Sequence, residues 1–180
     1  MVQNNTPSSI AVMEVFFKEP TKIHFIKEIS RKIKLAPTSI RKYLSTFLKE
    51  DIINVKKAHP FNGLVSNRDN DAFIFYKRAY NLYSLKELRE LIINSIHPQA
   101  IVLFGSYSRG EDIETSDIDI LIISKVKKDI SVSNMERKME RKINIMVIND
   151  LKELDKVIQK KINNGIVLYG EIWWMMKYSE

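Results

Sequence analysis

The sequence predicts an α+β fold in which a helical N-terminal part with a short β-hairpin precedes a small mixed β-sheet with helices. Through most of the first 96 residues, apolar residues recur at helical spacing. After residue 99, short apolar runs alternate with polar segments, which is the pattern of strands. We expect an N-terminal domain over residues 1–68, connecting helices over 69–95, a sheet domain over 96–172 and a tail over 173–180.

The composition is that of an ordinary globular protein, with 180 residues, 44% hydrophobic and 28% charged. Since the sequence has no cysteine, disulfides and thiolate metal sites are excluded. The opening residues lack a signal pattern and no apolar stretch approaches membrane-spanning length, so we expect a cytoplasmic protein. The net charge of +7 favours a polyanionic partner such as nucleic acid, although a solvated basic surface explains it equally.

Three amphipathic helices are predicted in the N-terminal domain. Hydroxyls and a proline at residues 6–9 suit the start of the first, which stops at Lys18. The second covers residues 23–33, and the third runs from Pro37 to Leu48. A strand over 51–57, a proline-containing turn and a returning strand over 63–66 then form a hairpin.

The pattern of polar residues on the third helix and in the hairpin resembles that of winged helix-turn-helix domains. The resemblance implies that the third helix enters the major groove of double-stranded DNA while the hairpin touches its backbone. The residues that would face DNA are Thr38, Ser39, Arg41 and Lys42 on the helix, with Lys56 and Lys57 near phosphates. Three amphipathic helices and a hairpin can also serve as a protein-docking module.

Two further helices connect the domains. An aromatic-rich segment over residues 70–83 predicts one, and Ser84 with Glu87 forms a capping-box pattern for the next, which His97-Pro98 ends. In the sheet domain we expect strands over 100–104, 120–123, 142–148 and 166–169, a charged helix over 134–141 and an amphipathic helix over 150–163.

The stretch IVLFGSYSRGEDIETSDIDILI at residues 101–122 carries the chemistry. Asp117 and Asp119 share one face of a strand, because strand side chains alternate. Two adjacent carboxylates favour a cation between them, and oxygen ligands suit Mg²⁺. Gly105 permits a sharp turn after the preceding strand, where the backbone N–H and hydroxyl of Ser106 can face an anion. A metal and a phosphate held side by side make a nucleotide triphosphate site; a solvated strand edge is the alternative.

Gly105-Ser106 followed by Asp117-x-Asp119 resembles the signature of the polymerase-beta-like nucleotidyltransferases, particularly the minimal ones of archaea and bacteria. The resemblance covers residues 96–170. It implies that Asp117 and Asp119 ligate Mg²⁺ or Mn²⁺ and are catalytic, that Gly105 and Ser106 bind the triphosphate of an NTP, and that Arg109 neutralises phosphate charge. Minimal members are associated with toxin–antitoxin modules, in which a partner protein is the target.

One position departs from that family. A third carboxylate is expected on the following strand, near the place that Asn144 holds here. Asparagine offers a neutral oxygen but supplies no charge and cannot act as a base. Glu140 and Asp150, which flank that strand, are candidate substitutes outside the matching position. The basic run at residues 125–128 is either a triphosphate contact or a solvated strand end.

The sequence supports two hypotheses about function. The first is an enzyme that transfers a nucleoside monophosphate from an NTP to a hydroxyl, releasing pyrophosphate, as the family resemblance implies. The second is a DNA-binding transcriptional regulator whose degenerate nucleotidyltransferase domain only senses nucleotide. Asn144 favours the second, whereas Gly105, Ser106 and both aspartates favour the first.

Overall fold

The computed structural model describes residues 8–171. The chain forms two compact units with the boundary between Tyr80 and Asn81, inside the segment that we assigned to connecting helices. The cap predicted at residues 6–7 and the tail predicted at 173–180 lie outside the described residues. Between residues 8 and 171, no helix has the length and apolar character needed to cross a bilayer.

The first unit contains three helices followed by a hairpin, as predicted. The helices are α1 (Ser8–Lys18), α2 (Ile26–Ile33) and α3 (Pro37–Lys49), and the antiparallel strands are β1 (Ile53–Lys56) and β2 (Gly63–Ser66). Apolar side chains from all these elements form one core, whose fully buried members are Val12, Phe16, Ile29, Ile40 and Ile53.

The second helix begins three residues later than predicted. His24 is paired with Leu64 of β2: its N–H donates to the Leu64 carbonyl at 2.7 Å, and the Leu64 N–H donates back at 2.9 Å. Because this backbone is bonded to a strand, residues 23–25 stay extended and α2 starts at Ile26. Local apolar spacing cannot reveal a partner that lies 40 residues away.

Helices α4 (Asp71–Ser84) and α5 (Lys86–Ile96) follow the hairpin. The capping box predicted at Ser84 is wrong, since the residue before α5 is Leu85 and makes no side-chain cap. Ser84 instead ends α4, where its hydroxyl donates to the Asn81 carbonyl at 2.7 Å and lies 2.9 Å from the hydroxyl oxygen of Tyr107.

The second unit is built on a four-stranded mixed sheet. Its strands are β3 (Ala100–Phe104), β4 (Ile118–Ile123), β5 (Ile143–Ile148) and β6 (Ile166–Gly170), in the spatial order β5-β4-β3-β6. β3 is antiparallel to both of its neighbours, whereas β4 and β5 are parallel. The central strands β3 and β4 are apolar on both faces, which is why they are buried and read as continuous apolar runs.

Shorter helices connect the strands: α6 (Gly105–Arg109), α7 (Ser133–Met139) and α8 (Lys156–Asn163). The single helix predicted over residues 150–163 is wrong, because a 3-10 turn (Leu151–Glu153) precedes α8. Two aspartates divide the segment by capping: Asp150 accepts from the Lys152 N–H at 2.9 Å, and Asp155 accepts from the Ile158 N–H at 2.8 Å.

Candidate active site

Four predicted site residues, Gly105, Asp117, Asp119 and Asn144, meet at one end of the sheet. Asp117 lies directly before β4, and Asp119 is the second residue of that strand. In the sheet register Asp119 stands opposite Phe104 of β3 on one side and Asn144 of β5 on the other. Since Phe104 immediately precedes Gly105, the register brings the glycine turn, the two carboxylates and the asparagine together.

The Asn144 amide lies between the two carboxylates. Its Nδ2 donates to Asp119 Oδ1 at 3.1 Å and to Asp117 Oδ2 at 3.3 Å. A neutral donor thus occupies the point at which the carboxylates would hold a cation. An amide carries an oxygen acceptor as well as its NH₂ group, so rotation of the Asn144 side chain turns an oxygen ligand towards the same point.

Gly105 allows the chain to approach Asp119. Its φ is +75°, a conformation that side-chain-bearing residues rarely adopt, and a Cβ at this position would lie 2.4 Å from Asp119 Oδ2. The backbone conformation therefore favours glycine, and a larger residue would also displace the Asp119 carboxylate. The turn that follows is tight as well, since α6 ends at Gly110 with φ +72°.

Ser106 and Arg109 both lie on α6 beside that turn. Ser106 is half-buried, and its hydroxyl forms no hydrogen bond with any residue in the described range 8–171. Arg109 is about half exposed; its Nη1 donates to the Gly105 carbonyl at 3.1 Å and its Nε to Glu111 Oε2 at 2.7 Å. The guanidinium is therefore adjacent to the turn, with its charge partly compensated by Glu111.

These side chains fit one hard cation. Asp117, Asp119 and, after rotation, Asn144 offer three oxygen-bearing groups, which is the chemistry Mg²⁺ prefers. Within residues 8–171 there is no cluster of three or more histidine, cysteine, aspartate or glutamate side chains suited to a metal ion. The site therefore has one carboxylate fewer than a three-acid centre.

Of the other charged candidates, Glu140 follows the end of α7 and precedes β5, whereas Asp150 and the basic run lie at the far end of the strands. Lys125 comes six residues after Asp119 of β4, and Asp150 comes six residues after Asn144 of β5. At the rise of a strand, six residues correspond to roughly 20 Å. Asp150 is moreover engaged in capping the 3-10 turn. Neither Asp150 nor the basic run at residues 125–128 supplements the carboxylate pair.

The sequence analysis did not predict a buried polar network that lies next to the site. Asp112 is buried; one of its oxygens lies 3.1 Å from Arg141 Nη2 and the other accepts from Asn81 Nδ2 at 2.8 Å. The Arg141 guanidinium lies over the Tyr107 ring, 5.7 Å from its centroid. Burial, reinforced by the Asp112 charge, raises the pKa of Tyr107 to about 12, despite the Ser84 hydrogen bond and Arg141, which lower it. Nothing local distinguishes Asp112 or Arg141 from solvated charges.

In the first unit, the six residues predicted to contact DNA are all exposed on α3 and at the end of the hairpin: Thr38, Ser39, Arg41, Lys42, Lys56 and Lys57. Arg41 also lines a groove of about 240 Å³ between α3 and the hairpin, together with Leu48 and Val55. The structure therefore leaves these six side chains accessible without showing what they bind.

We expect Gly105→Ala to lower the free energy of unfolding by about 1 to 2 kcal/mol, because alanine is strained at positive φ, and more if the Asp119 carboxylate cannot move away from the added methyl group. Urea denaturation measures this difference. Gly110→Ala, with φ +72°, is the control for backbone strain alone. Equal stability of Gly105→Ala and the wild type would contradict the described turn.

The second unit is similar to known proteins. Residues 86–171 match the family described as "Polymerase beta, Nucleotidyltransferase". A protein of Methanocaldococcus jannaschii named "Putative protein adenylyltransferase" is 46% identical over 63 residues, which cover 35% of this chain and 61% of that protein. The match thus spans less than two thirds of the relative's length.

Two solved structures are similar in part. A crystal structure of "the toxin-antitoxin with AMP-PNP" has 22% identity and a TM-score of 0.42, covering 53% of this chain and 80% of that chain. A "putative nucleotidyltransferase from Sulfolobus solfataricus" has 22% identity and a TM-score of 0.33, covering 56% and 89%. At these TM-scores no function is transferred from either structure.

The matched family range contains every residue of the candidate site in the second unit. It begins at residue 86, ten residues before the resemblance seen in the sequence, and therefore includes α5. The match to this family thus covers 86 of the 180 residues, including the glycine turn, both aspartates and Asn144.

Proposed function

We propose that the protein transfers a nucleoside monophosphate from an NTP to a hydroxyl acceptor in a Mg²⁺-dependent reaction. The observation that carries this proposal is the register of β3 and β4, which sets the Gly105 turn so close to Asp119 that a Cβ on residue 105 would lie 2.4 Å from Asp119 Oδ2. The family match over residues 86–171 supports the same activity. In the reaction the acceptor oxygen bonds to the α-phosphorus, the α–β bridging bond breaks, pyrophosphate leaves and the hydroxyl proton passes to solvent.

Some of the site residues would bind the metal, and others would bind the phosphate groups. Asp117 and Asp119, with the Asn144 oxygen, would hold Mg²⁺, which when bound offsets triphosphate charge and acidifies the acceptor hydroxyl. The Ser106 hydroxyl and backbone N–H would bind the triphosphate, because Gly105 brings that backbone close to the carboxylates. Arg109 adds a positive charge beside the same turn.

Turnover in this site should be slow, because residue 144 is an asparagine and not a carboxylate. A neutral third ligand leaves the site with two negative charges where a three-acid centre has three. The lost charge weakens chiefly the binding of a second cation, which would otherwise activate the acceptor. NTP binding is therefore less affected than turnover.

The acceptor that fits best is a hydroxyl on a partner protein, such as the toxin of a toxin–antitoxin pair. Support comes from the relative named as a protein adenylyltransferase and from the resemblance to minimal nucleotidyltransferases. The same relative favours ATP as the NTP. A nucleotide sensor without turnover is the competing function, and the Asn144 amide between the aspartates is the observation that favours it.

The distribution of charge favours a second function for the first unit, binding of double-stranded DNA. Residues 1–80 have 14 basic and 7 acidic side chains, whereas residues 81–180 have 15 of each, so the whole net charge of +7 belongs to the first unit. Arg41, Lys42, Lys56 and Lys57 are exposed there and form no ion pair within the described part of the chain. We propose a winged-helix mode, with α3 in the major groove and the hairpin on the backbone.

The enzyme proposal is tested by incubating the protein with an α-labelled NTP, Mg²⁺ and the proteins encoded beside it. We expect labelled protein, and we expect Asp117→Asn or Asp119→Asn to reduce labelling by about a hundredfold, since each removes a metal ligand. Asp155→Asn, which alters an aspartate that only caps α8, is the matched control. Labelling that survives both site variants would reject the assigned site.

Asn144→Asp separates the enzyme from the sensor. An added carboxylate would restore the third charge, and each 1.4 kcal/mol of transition-state stabilisation is about tenfold in rate. We expect initial transfer rates with Mg²⁺ or Mn²⁺ to rise at least about tenfold in Asn144→Asp and not in Asn144→Ala. Equal, appreciable rates in all three proteins would contradict the role of Asn144, and NTP binding without turnover in any of them would favour the sensor.

The DNA proposal predicts binding that weakens steeply with salt. Replacing Arg41, Lys42, Lys56 and Lys57 by alanine should abolish gel shifts at moderate salt and reduce the salt slope by about 3 to 4, because each phosphate contact contributes about 0.9. A variant without Lys125, Lys127, Lys128 and Lys152 loses the same charge from the second unit and is the control. No shift at low salt with promoter fragments would make the first unit a protein-docking module.

A further inference from the structure

A buried ion pair lies next to the candidate site but outside the residues assigned to transfer. The Asp112 side chain is fully buried and that of Arg141 is 7% exposed, and their closest atoms are 3.1 Å apart. Removing two charges from water offsets most of their attraction, so an apolar pair of similar volume is often as stable or more stable. Stability alone therefore gives no reason for this pair.

The Arg141 guanidinium also bonds to the turn that leads into Asp117. Its Nη1 donates to the carbonyls of Ile113 and Ser116, the latter at 3.1 Å. The turn is also closed on itself, because the Ser116 N–H donates to the Ile113 carbonyl at 3.0 Å and the Ile113 N–H to the Ser116 hydroxyl at 3.0 Å. Asp117 follows directly, so its backbone position depends on what holds Ser116.

Arg141 also belongs to the segment that carries Asn144, three residues later. That segment joins β4 through Lys142, whose carbonyl accepts from the Ile118 N–H at 2.9 Å. On the other side the guanidinium packs on Tyr107 of α6, the helix that begins at Gly105. The Tyr107 carbonyl accepts from Asn81, which also donates to Asp112. One buried cluster thus touches all three chain segments that form the site.

We propose that Asp112 and Arg141 are a positioning pair, which fixes Asp117 relative to Asn144 and to the Gly105 turn and so preorganises the site for metal and nucleotide. Neither residue touches substrate. Only an arginine fork can meet the Asp112 carboxylate and two carbonyls at once in a fixed plane; the lysine ammonium is a point charge. The consequence for nucleotide binding rests on the proposed function, whereas the consequence for the turn rests on the geometry alone.

The test replaces the pair by apolar residues, Asp112→Leu with Arg141→Met, and measures three quantities. We expect the thermal midpoint to stay near that of the wild type. Amide hydrogen exchange at residues 116–118 should be about tenfold faster, because the turn has lost its donor. Mg²⁺-dependent ATP affinity should fall about tenfold, while the weaker metal-free affinity changes little.

Arg89→Met is the matched control. The Arg89 guanidinium also lies over a tyrosine ring, 5.5 Å from the Tyr169 centroid, and its Nε donates to a backbone carbonyl, that of Leu168, at 2.7 Å. It contacts β6, away from the Asp117 turn. This variant should leave both the exchange at residues 116–118 and the Mg²⁺-dependent affinity unchanged.

Arg141→Lys provides an independent variant if the double replacement fails to fold. It keeps a positive charge beside Asp112 but cannot hold both carbonyls, so exchange at the turn should still be faster than in the wild type. Wild-type exchange at residues 116–118 in a folded pair variant would overturn the proposal, as would unchanged Mg²⁺-dependent affinity despite faster exchange. If the wild type binds no ATP with Mg²⁺, the proposed function fails, and the exchange measurement still decides the positioning role.

Discussion

The structure of the second unit depends on one electrostatic constraint, the placement of two carboxylates side by side on β4. Asp117 and Asp119 repel each other unless a donor or a cation stands between them. In this chain the Asn144 amide takes that place, donating to both. The register of the parallel strand β5 places Asn144 beside Asp119, and glycine at position 105 leaves space for the Asp119 carboxylate.

The two carboxylates also depend on the backbone that holds them in place. Carboxylates that are held before a ligand arrives need a rigid backbone, and the backbone leading to Asp117 is a polar turn with no apolar core of its own. The buried Arg141 fork supplies that rigidity by bonding the turn's carbonyls, with Asp112 as its counter-charge. Charge is arranged differently in the first unit, to which the entire net positive charge of the chain belongs. The two units therefore suit different anionic partners.

Much of this arrangement was predictable because it is local. The alternation of Asp117, Ile118 and Asp119 fixes their faces, and Gly105 after an apolar run indicates the turn, so these two parts of the site could be predicted from 22 consecutive residues. The returning strand Gly63–Ser66 was predicted with its observed bounds for the same reason. The rest depends on distant partners. Asp112 and Arg141 lie 29 residues apart in sequence, and Ser84 reads as a helix cap until Tyr107 is placed beside it. Sequence spacing carries no signal for such pairs.

In the proposed site the Asn144 amide substitutes for a cation and turns its oxygen inward when the metal binds. The most direct test follows the Asn144 side-chain NH₂ resonances of the ¹⁵N-labelled protein during titration with Mg²⁺ and an NTP. Asn144→Ala assigns the signals, and Asn163, exposed on α8, serves as the reference amide. We expect a large shift of the two Asn144 NH₂ resonances, because the hydrogen bonds of this amide to both carboxylates are lost. The NH₂ resonances of Asn163 should not change. Saturation with Mg²⁺ and NTP that leaves the Asn144 resonances in place would contradict this role of Asn144.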